Sequence, residues 1–222
     1  AVQFIERHKD EPFFLHLTYN APHFPLQAPE EDIAPFAETG QYTKGVSTIY
    51  GMIRRMDAGV ERILDALERL GLDEDTLVLF TSDNGPQIGG EGEMSTVRYN
   101  CNYHGSKGNV YEGGIRVPMI LRWPGRLAAG QYRDEMVHFA DWLPTLLAAA
   151  GLQPPAALAL DGLNVWPLLC GEGGQPCTRR FWQWNRYTPE VTCNAAMREG
   201  AWKLVRPVIR AAMTLTPEDL AV

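Results

Sequence analysis

The chain has 222 residues, 45% of them hydrophobic and 21% charged, a composition of folded globular protein that excludes a disordered segment. Its net charge of −7 excludes a nucleic-acid-binding surface, which needs clustered basic residues, but leaves room for a small anionic ligand held by a local cation. No apolar run reaches the ~20 residues that cross a bilayer, and four cysteines without CxxC or zinc spacing leave the redox compartment open.

Residues 1–9 read as the end of an amphipathic helix with Val2 and Ile5 on one face, so the chain is expected to open partway through an element. Residues 12–19 (PFFLHLTY) are a short run of β-formers bounded by Pro12 and Asn20-Ala21-Pro22, expected to be a buried strand in which His16 packs. The proline-rich loop NAPHFPLQAP follows and presents His23. Apolar residues from Val46 to Leu70 keep the spacing of one helical face, and Gly71 stands where a C-cap belongs. Residues 76–82 (TLVLFTS) predict a second strand, ending in Asp83-Asn84-Gly85-Pro86. A Gly/Asn-rich loop runs to Gly114, residues 117–123 (VPMILRW) predict a third strand, and Val137–Phe139 a short fourth. Asp141 is placed to cap a helix reaching Gly151.

Strand, helix and strand in this order predict an α/β fold: a mostly parallel sheet flanked by helices. The texture changes near Cys170. GEGGQPC reads as a linker, and 180–184, 193–198 and 201–206 as short strands of a small C-terminal antiparallel β appendage. The domain reading is therefore 1–172 and 173–222. Thr216 and Pro217 look like the start of a further helix, so both ends read as cut from a longer chain.

In open α/β sheets, ligands gather beyond the carboxyl ends of strands. Asp83 and Asn84 offer hard oxygen donors there, suited to calcium or magnesium, although Asp-Asn-Gly-Pro is also an ordinary turn. His23 can offer a proton to a leaving group, or be a surface histidine. Lys107, in His104-Gly-Ser-Lys-Gly-Asn, can approach an oxyanion as a point charge, or be a solvated loop lysine; the loop lacks P-loop spacing. His8, His104 and His138 carry no independent signal, and no Gly-x-Ser-x-Gly elbow is present.

The blocks YNAPHFPLQAP, TLVLFTSDNGP and GSKGNVYEGGIRVPMILRWPGR, in this order, resemble the second half of the type I sulfatases of the alkaline-phosphatase-like superfamily, as do HFADWLPTLLAAAG, LDGLNVWPLLCG and AAMREGAWKLV. The resemblance implies a sulfatase fold of which this chain is the C-terminal half. It implies Asp83 and Asn84 as ligands of a divalent cation, Ca2+ in most members, and His23 and Lys107 as contacts of the sulfate and bridging oxygen, with His23 protonating the leaving alcohol. Gly113 and Gly114 read as scaffold that turns the chain into the third strand. The family's nucleophile is a formylglycine made from Cys or Ser in a Cys/Ser-x-Pro/Ala-x-Arg motif; no cysteine or serine here fits, so it is expected in the missing N-terminal half and the isolated chain is expected to be inactive. The implied substrate is a small-molecule or glycan sulfate ester or sulfamate, and family habit implies a periplasmic, secreted or lysosomal setting. Two other readings stay open: a phosphodiesterase or phosphonate hydrolase of the same superfamily, and a non-catalytic remnant that binds sulfated glycans.

Overall fold

A computed structural model describes residues 1–173, 177–185, 193–209, 214, 216, 217 and 221. The first half is organised around one long helix. After α1 (Val2–Arg7) and α2 (Glu30–Ala37), α3 spans Lys44–Arg69. The Thr43 hydroxyl caps α3 by accepting from Val46 N at 3.2 Å, and donates to Ser95 O at 2.6 Å. Its other end is a Schellman turn: Gly71 has φ 68°, and Leu72 N reaches Leu67 O at 2.8 Å. The predicted helix is thus present with its predicted stop.

The buried face of α3 includes Val46, Ile49, Met52, Ala66 and Leu67, joined by Ile5 of α1. It also includes Gly45, Gly51 and Gly59, which hydrophobic periodicity does not score. A Cβ on Gly51 would lie 2.9 Å from Ile33 Cγ1, so α2 approaches the helix at glycine range. Asp32 of α2, only 8% exposed, receives Arg55 Nε at 2.6 Å and fixes that contact.

Two strands, β1 (Val78–Thr81) and β2 (Met119–Arg122), form a two-stranded sheet. They fall inside the predicted runs but pair antiparallel, from Val78↔Arg122 to Thr81↔Met119, so no parallel sheet is present among the described residues. The expectation of parallel strands assumed a helical crossover. What joins β1 to β2 is an irregular loop with the single-turn helix α4 (Glu112–Ile115), and it returns the chain in the opposite direction. Residues 12–19 are not a strand either. A β-forming run needs a ladder partner, and none of the described residues supplies one; Phe14 is 78% exposed, and His16 is exposed rather than packed. Val137–Phe139 is also not a strand, because His138 and Asp141 bond reciprocally and wind Phe139–Asp141 into a 3-10 turn.

α5 follows as Trp142–Ala149, closed at Gly151 (φ 72°), and α6 spans Trp166–Leu169. Asp141 stands at the N-cap of α5, but its side chain bonds no α5 amide; it is committed elsewhere. The predicted C-terminal sheet is present: β3 (Arg179–Gln183), β4 (Ala195–Glu199) and β5 (Trp202–Arg206), antiparallel in the order β3-β4-β5. The tight turn between β4 and β5 carries Gly200 at φ 56°. Residues 174–176 of the linker, and the core of the predicted helix after Pro217, lie outside the described residues.

A joint ties this sheet to the rest. Asp141, fully buried, accepts from His138 N and Leu163 N, both at 2.8 Å, and from Arg180 Nη2 on β3. Lys203 on β5 adds an ion pair to Glu112 at 2.8 Å. Among the described residues no helix is long and apolar enough to cross a membrane.

Candidate functional site

Asp83 and Asn84 leave β1 in a loop whose backbone is pinned to the Lys107 loop. Gly85 N donates to Gly114 O at 2.8 Å, Lys107 N to Pro86 O at 2.9 Å, and Gly113 N to His104 O at 2.8 Å. Glycine is required at these crossings. A Cβ on Gly85 would lie 1.9 Å from Gly113 O, one on Gly113 2.1 Å from Gly105 O, and one on Gly114 2.0 Å from Asn109 O. Gly113 and Gly114 are buried within α4, where they serve as this knot rather than as a turn leading straight into β2. The Lys107 loop is also braced internally: Asn109 Oδ1 accepts from Ser106 N at 3.1 Å, and Asn100 Nδ2 donates to Gly105 O at 3.1 Å.

The Asp83 carboxylate is exposed and has no hydrogen bond or ion pair among the described residues. Asn84 donates its amide nitrogen to Gly85 O at 2.9 Å, which leaves its amide oxygen open. Two open, hard oxygen donors on one fixed loop fit a divalent cation but fill only part of a shell of six or more. Consistent with that, no group of three or more His, Cys, Asp or Glu among the described residues could hold a metal by itself.

His23 is exposed on a loop with cis Ala21-Pro22 and Phe24-Pro25 bonds, and its hydrogen bonds stay within that loop. Its backbone N–H donates to Asn20 O at 2.8 Å, and its Nδ1 lies 2.9 Å from Phe24 O. A carbonyl can only accept, so Nδ1 carries the hydrogen and Nε2 is the atom presented outward. The structure thus brings Asp83, Asn84 and Lys107 into one knot and leaves His23 on a separate support. Just before that loop, the Tyr19 hydroxyl would lie 2.5 Å from a Cβ placed on Gly59 of α3.

His104 meets Tyr111 edge to face with ring centroids 4.3 Å apart, and His8 pairs with Glu11 at 2.5 Å. His138 proves more informative than its sequence context. Burial, and then the nearby Arg180 guanidinium, hold its imidazole below the ordinary value, with Asp141 opposing. Its Nδ1 accepts from Ala140 N at 3.1 Å, a bond that the neutral ring alone can make. The reciprocal pairing of His138 with a residue three positions on was the available signal. A groove of about 320 Å³ between α1, α3 and Leu17–Tyr19 holds none of Asp83, Asn84, Lys107 or His23.

Two open oxygen donors and a lysine thus share one backbone knot, and an imidazole is presented from a separate loop. Residues 1–152 match the Sulfatase family, and residues 103–213 match the family described as N-sulphoglucosamine sulphohydrolase, C-terminal. The chain belongs to the sulfatase family. It is 37% identical over 188 residues to an uncharacterised sulfatase, YdeN, of Escherichia coli, covering 82% of this chain and 32% of that protein. It is 36% identical over 197 residues to human arylsulfatase A, covering 88% of this chain and 36% of that protein. A solved structure, Ps i-CgsB in complex with k-i-k-neocarrahexaose, superposes with a TM-score of 0.79 at 34% identity, over 92% of this chain and 44% of that one. The chain therefore spans about a third of the length of these two curated relatives, 32% and 36%. A phosphonate monoester hydrolase from Silicibacter pomeroyi shares the fold, with a TM-score of 0.64 at 23% identity over 91% of this chain and 49% of that one.

Proposed function

We propose that the protein expressed from its complete reading frame is a sulfuric-ester hydrolase acting on a small-molecule or glycan sulfate ester, with Asp83, Asn84, Lys107 and His23 in its active site. The observation that carries this reading is the glycine knot, which holds two open oxygen donors and a lysine on one piece of backbone. Asp83 and Asn84 would hold a divalent cation, calcium by family, and the chemistry it would supply is neutralisation of charge on the sulfate. Lys107 sets its ammonium against a non-bridging or bridging oxygen. His23 delivers a proton to the departing alcohol from Nε2. Because Nδ1 is spent on Phe24 O, that delivery uses the imidazolium form. The nucleophile in this reading is a formylglycine; none of Cys101, Cys170, Cys177 or Cys193 stands in a Cys/Ser-x-Pro/Ala-x-Arg motif. The division into 1–172 and 173–222 is retained as part of the same proposal.

The test is turnover of an aryl sulfate beside the matching aryl phosphate by the product of the complete reading frame. Sulfate ester is expected to be the better substrate, with chelation abolishing the rate and Lys107→Ala or His23→Gln each lowering it ~100-fold or more. Preference for the phosphate would favour the phosphohydrolase reading. Retained affinity for a sulfated glycan without turnover would favour the binding remnant. Sulfate release by the 222-residue chain alone would overturn the assignment of the nucleophile.

A further inference from the structure

The C-terminal sheet reaches the site at the residue next to Lys107. Asn194, 1% exposed and held at φ 43°, donates its side-chain amide to Gly108 O at 3.0 Å and also to Trp184 O. Trp184 N in turn donates to Asn194 O at 3.1 Å, so the two residues brace each other. The Trp184 ring rests on Gly108: a Cβ there would lie 2.8 Å from a ring carbon, and Gly108 has φ 92°. The left-handed backbone at 194 suits asparagine, whose short amide tolerates it and whose –NH2 supplies two donors.

Lys107 is therefore gripped from both sides. Its own N–H is bonded to Pro86 O in the Asp83–Asn84 loop, and the carbonyl of the following residue is bonded to the C-terminal sheet. We infer that Asn194 and Trp184 are positioning residues, and that the sheet β3–β5 serves to fix the Lys107 backbone so that its ammonium stands at a set distance from the cation ligands. This rests on the reading of Lys107 as the contact of the substrate oxyanion. Lys203–Glu112 and Arg180–Asp141 hold the sheet in place while Asn194 and Trp184 do the gripping. Packing alone would call for apolar contact. A buried amide aimed at one loop carbonyl is what registering that loop requires, since a buried donor left unpaired is unfavourable.

The experiment uses Asn194→Asp, which keeps size and backbone preference but cannot donate to Gly108 O, and Trp184→Ala, made separately in the product of the complete reading frame. Hydrogen exchange of peptides covering 104–110 is expected to rise about tenfold in both, with exchange across α3 unchanged. kcat/KM on an aryl sulfate is expected to fall about tenfold in each, and neither change is expected to lower it further in a Lys107→Ala background. Trp184→Phe, which keeps a ring over Gly108, should retain most of the rate. Unchanged exchange at 104–110 in both variants overturns the grip. Losses that add to that of Lys107→Ala overturn its connection to Lys107. Raised exchange at 104–110 in the two variants of a protein whose wild type shows no turnover would support the grip and sink the sulfatase reading instead.

Discussion

Replacing Gly85 with alanine puts the glycine knot to its sharpest test. The new methyl group would lie 1.9 Å from Gly113 O and 2.8 Å from Gly113 C, both backbone atoms that no rotamer change can move. The loops must separate, which strains packing by ~1–3 kcal/mol. Separation also lengthens the 2.8 Å bond from Gly85 N to Gly114 O, whose net worth is about 1 kcal/mol. The expected loss is ~2–4 kcal/mol, a large share of the 5–15 kcal/mol by which a folded protein is stable. Thermal and denaturant unfolding would measure it, with Gly89→Ala as control, because a Cβ on Gly89 meets nothing within 4 Å. Equal stability of the two variants, or a Gly85→Ala loss below ~0.5 kcal/mol, would refute the claim that this crossing requires glycine.

Three further outcomes follow from the joint and the cysteines. Asp141→Ala leaves Arg180 (13% exposed at its side chain) without its partner and the amides of His138 and Leu163 without an acceptor, and should destabilise by ~3–5 kcal/mol in denaturant unfolding. His138 has a folded-state pKa below its unfolded value, so the unfolded chain binds more protons; its contribution is present above about pH 6.5 and is lost as pH falls through the lowered value. Stability should therefore rise with pH through that window, and the rise should shrink in His138→Asn, whose oxygen can still accept from Ala140 N. In native protein Cys101, which is exposed, should react with a thiol reagent, and Cys193, at 0% exposure, should react only on unfolding; early labelling of Cys193 would contradict its burial.

The elements most legible in the sequence were those set by contacts near in sequence. The apolar period and Gly71 marked α3 within two residues, and alternation around Gly200 marked β4 and β5. Gly51 and Gly59 were missed because a hydrophobic period counts side chains, whereas a glycine acts by having none. Residues 12–19 and the direction of β1–β2 were misread for a different reason: a ladder is decided by where a partner strand lies, and β propensity is silent on that. Asp83, Asn84, Lys107 and His23 came from the family resemblance of whole blocks, since each alone is also a common loop residue. The pair Asp141–Arg180 spans a separation of 39 residues, which no local pattern encodes.

In the proposed reading the site divides its labour between two supports, a division that experiment can separate. In that reading the groups that face the sulfate, Asp83, Asn84 and Lys107, share the glycine knot, whose backbone contacts set their spacing. The proposed proton donor follows Tyr19 in the chain, whose hydroxyl leans against Gly59, and Asn20 O receives His23 N at 2.8 Å. Gly59→Ala would push the Tyr19 hydroxyl from a position 2.5 Å from the new carbon, while alanine inside a helix returns ~0.5–1 kcal/mol of stability, so the fold should hold. What should suffer is delivery of the proton by His23. An aryl sulfate whose phenolate leaves readily needs little protonation, and an alkyl sulfate needs much. Gly59→Ala is therefore expected to lower kcat ~10- to 100-fold on the alkyl ester and far less on the activated aryl ester, with KM nearly constant for both. An equal loss on the two esters would mean that the His23 loop and the knot move together, and that the two supports act as one.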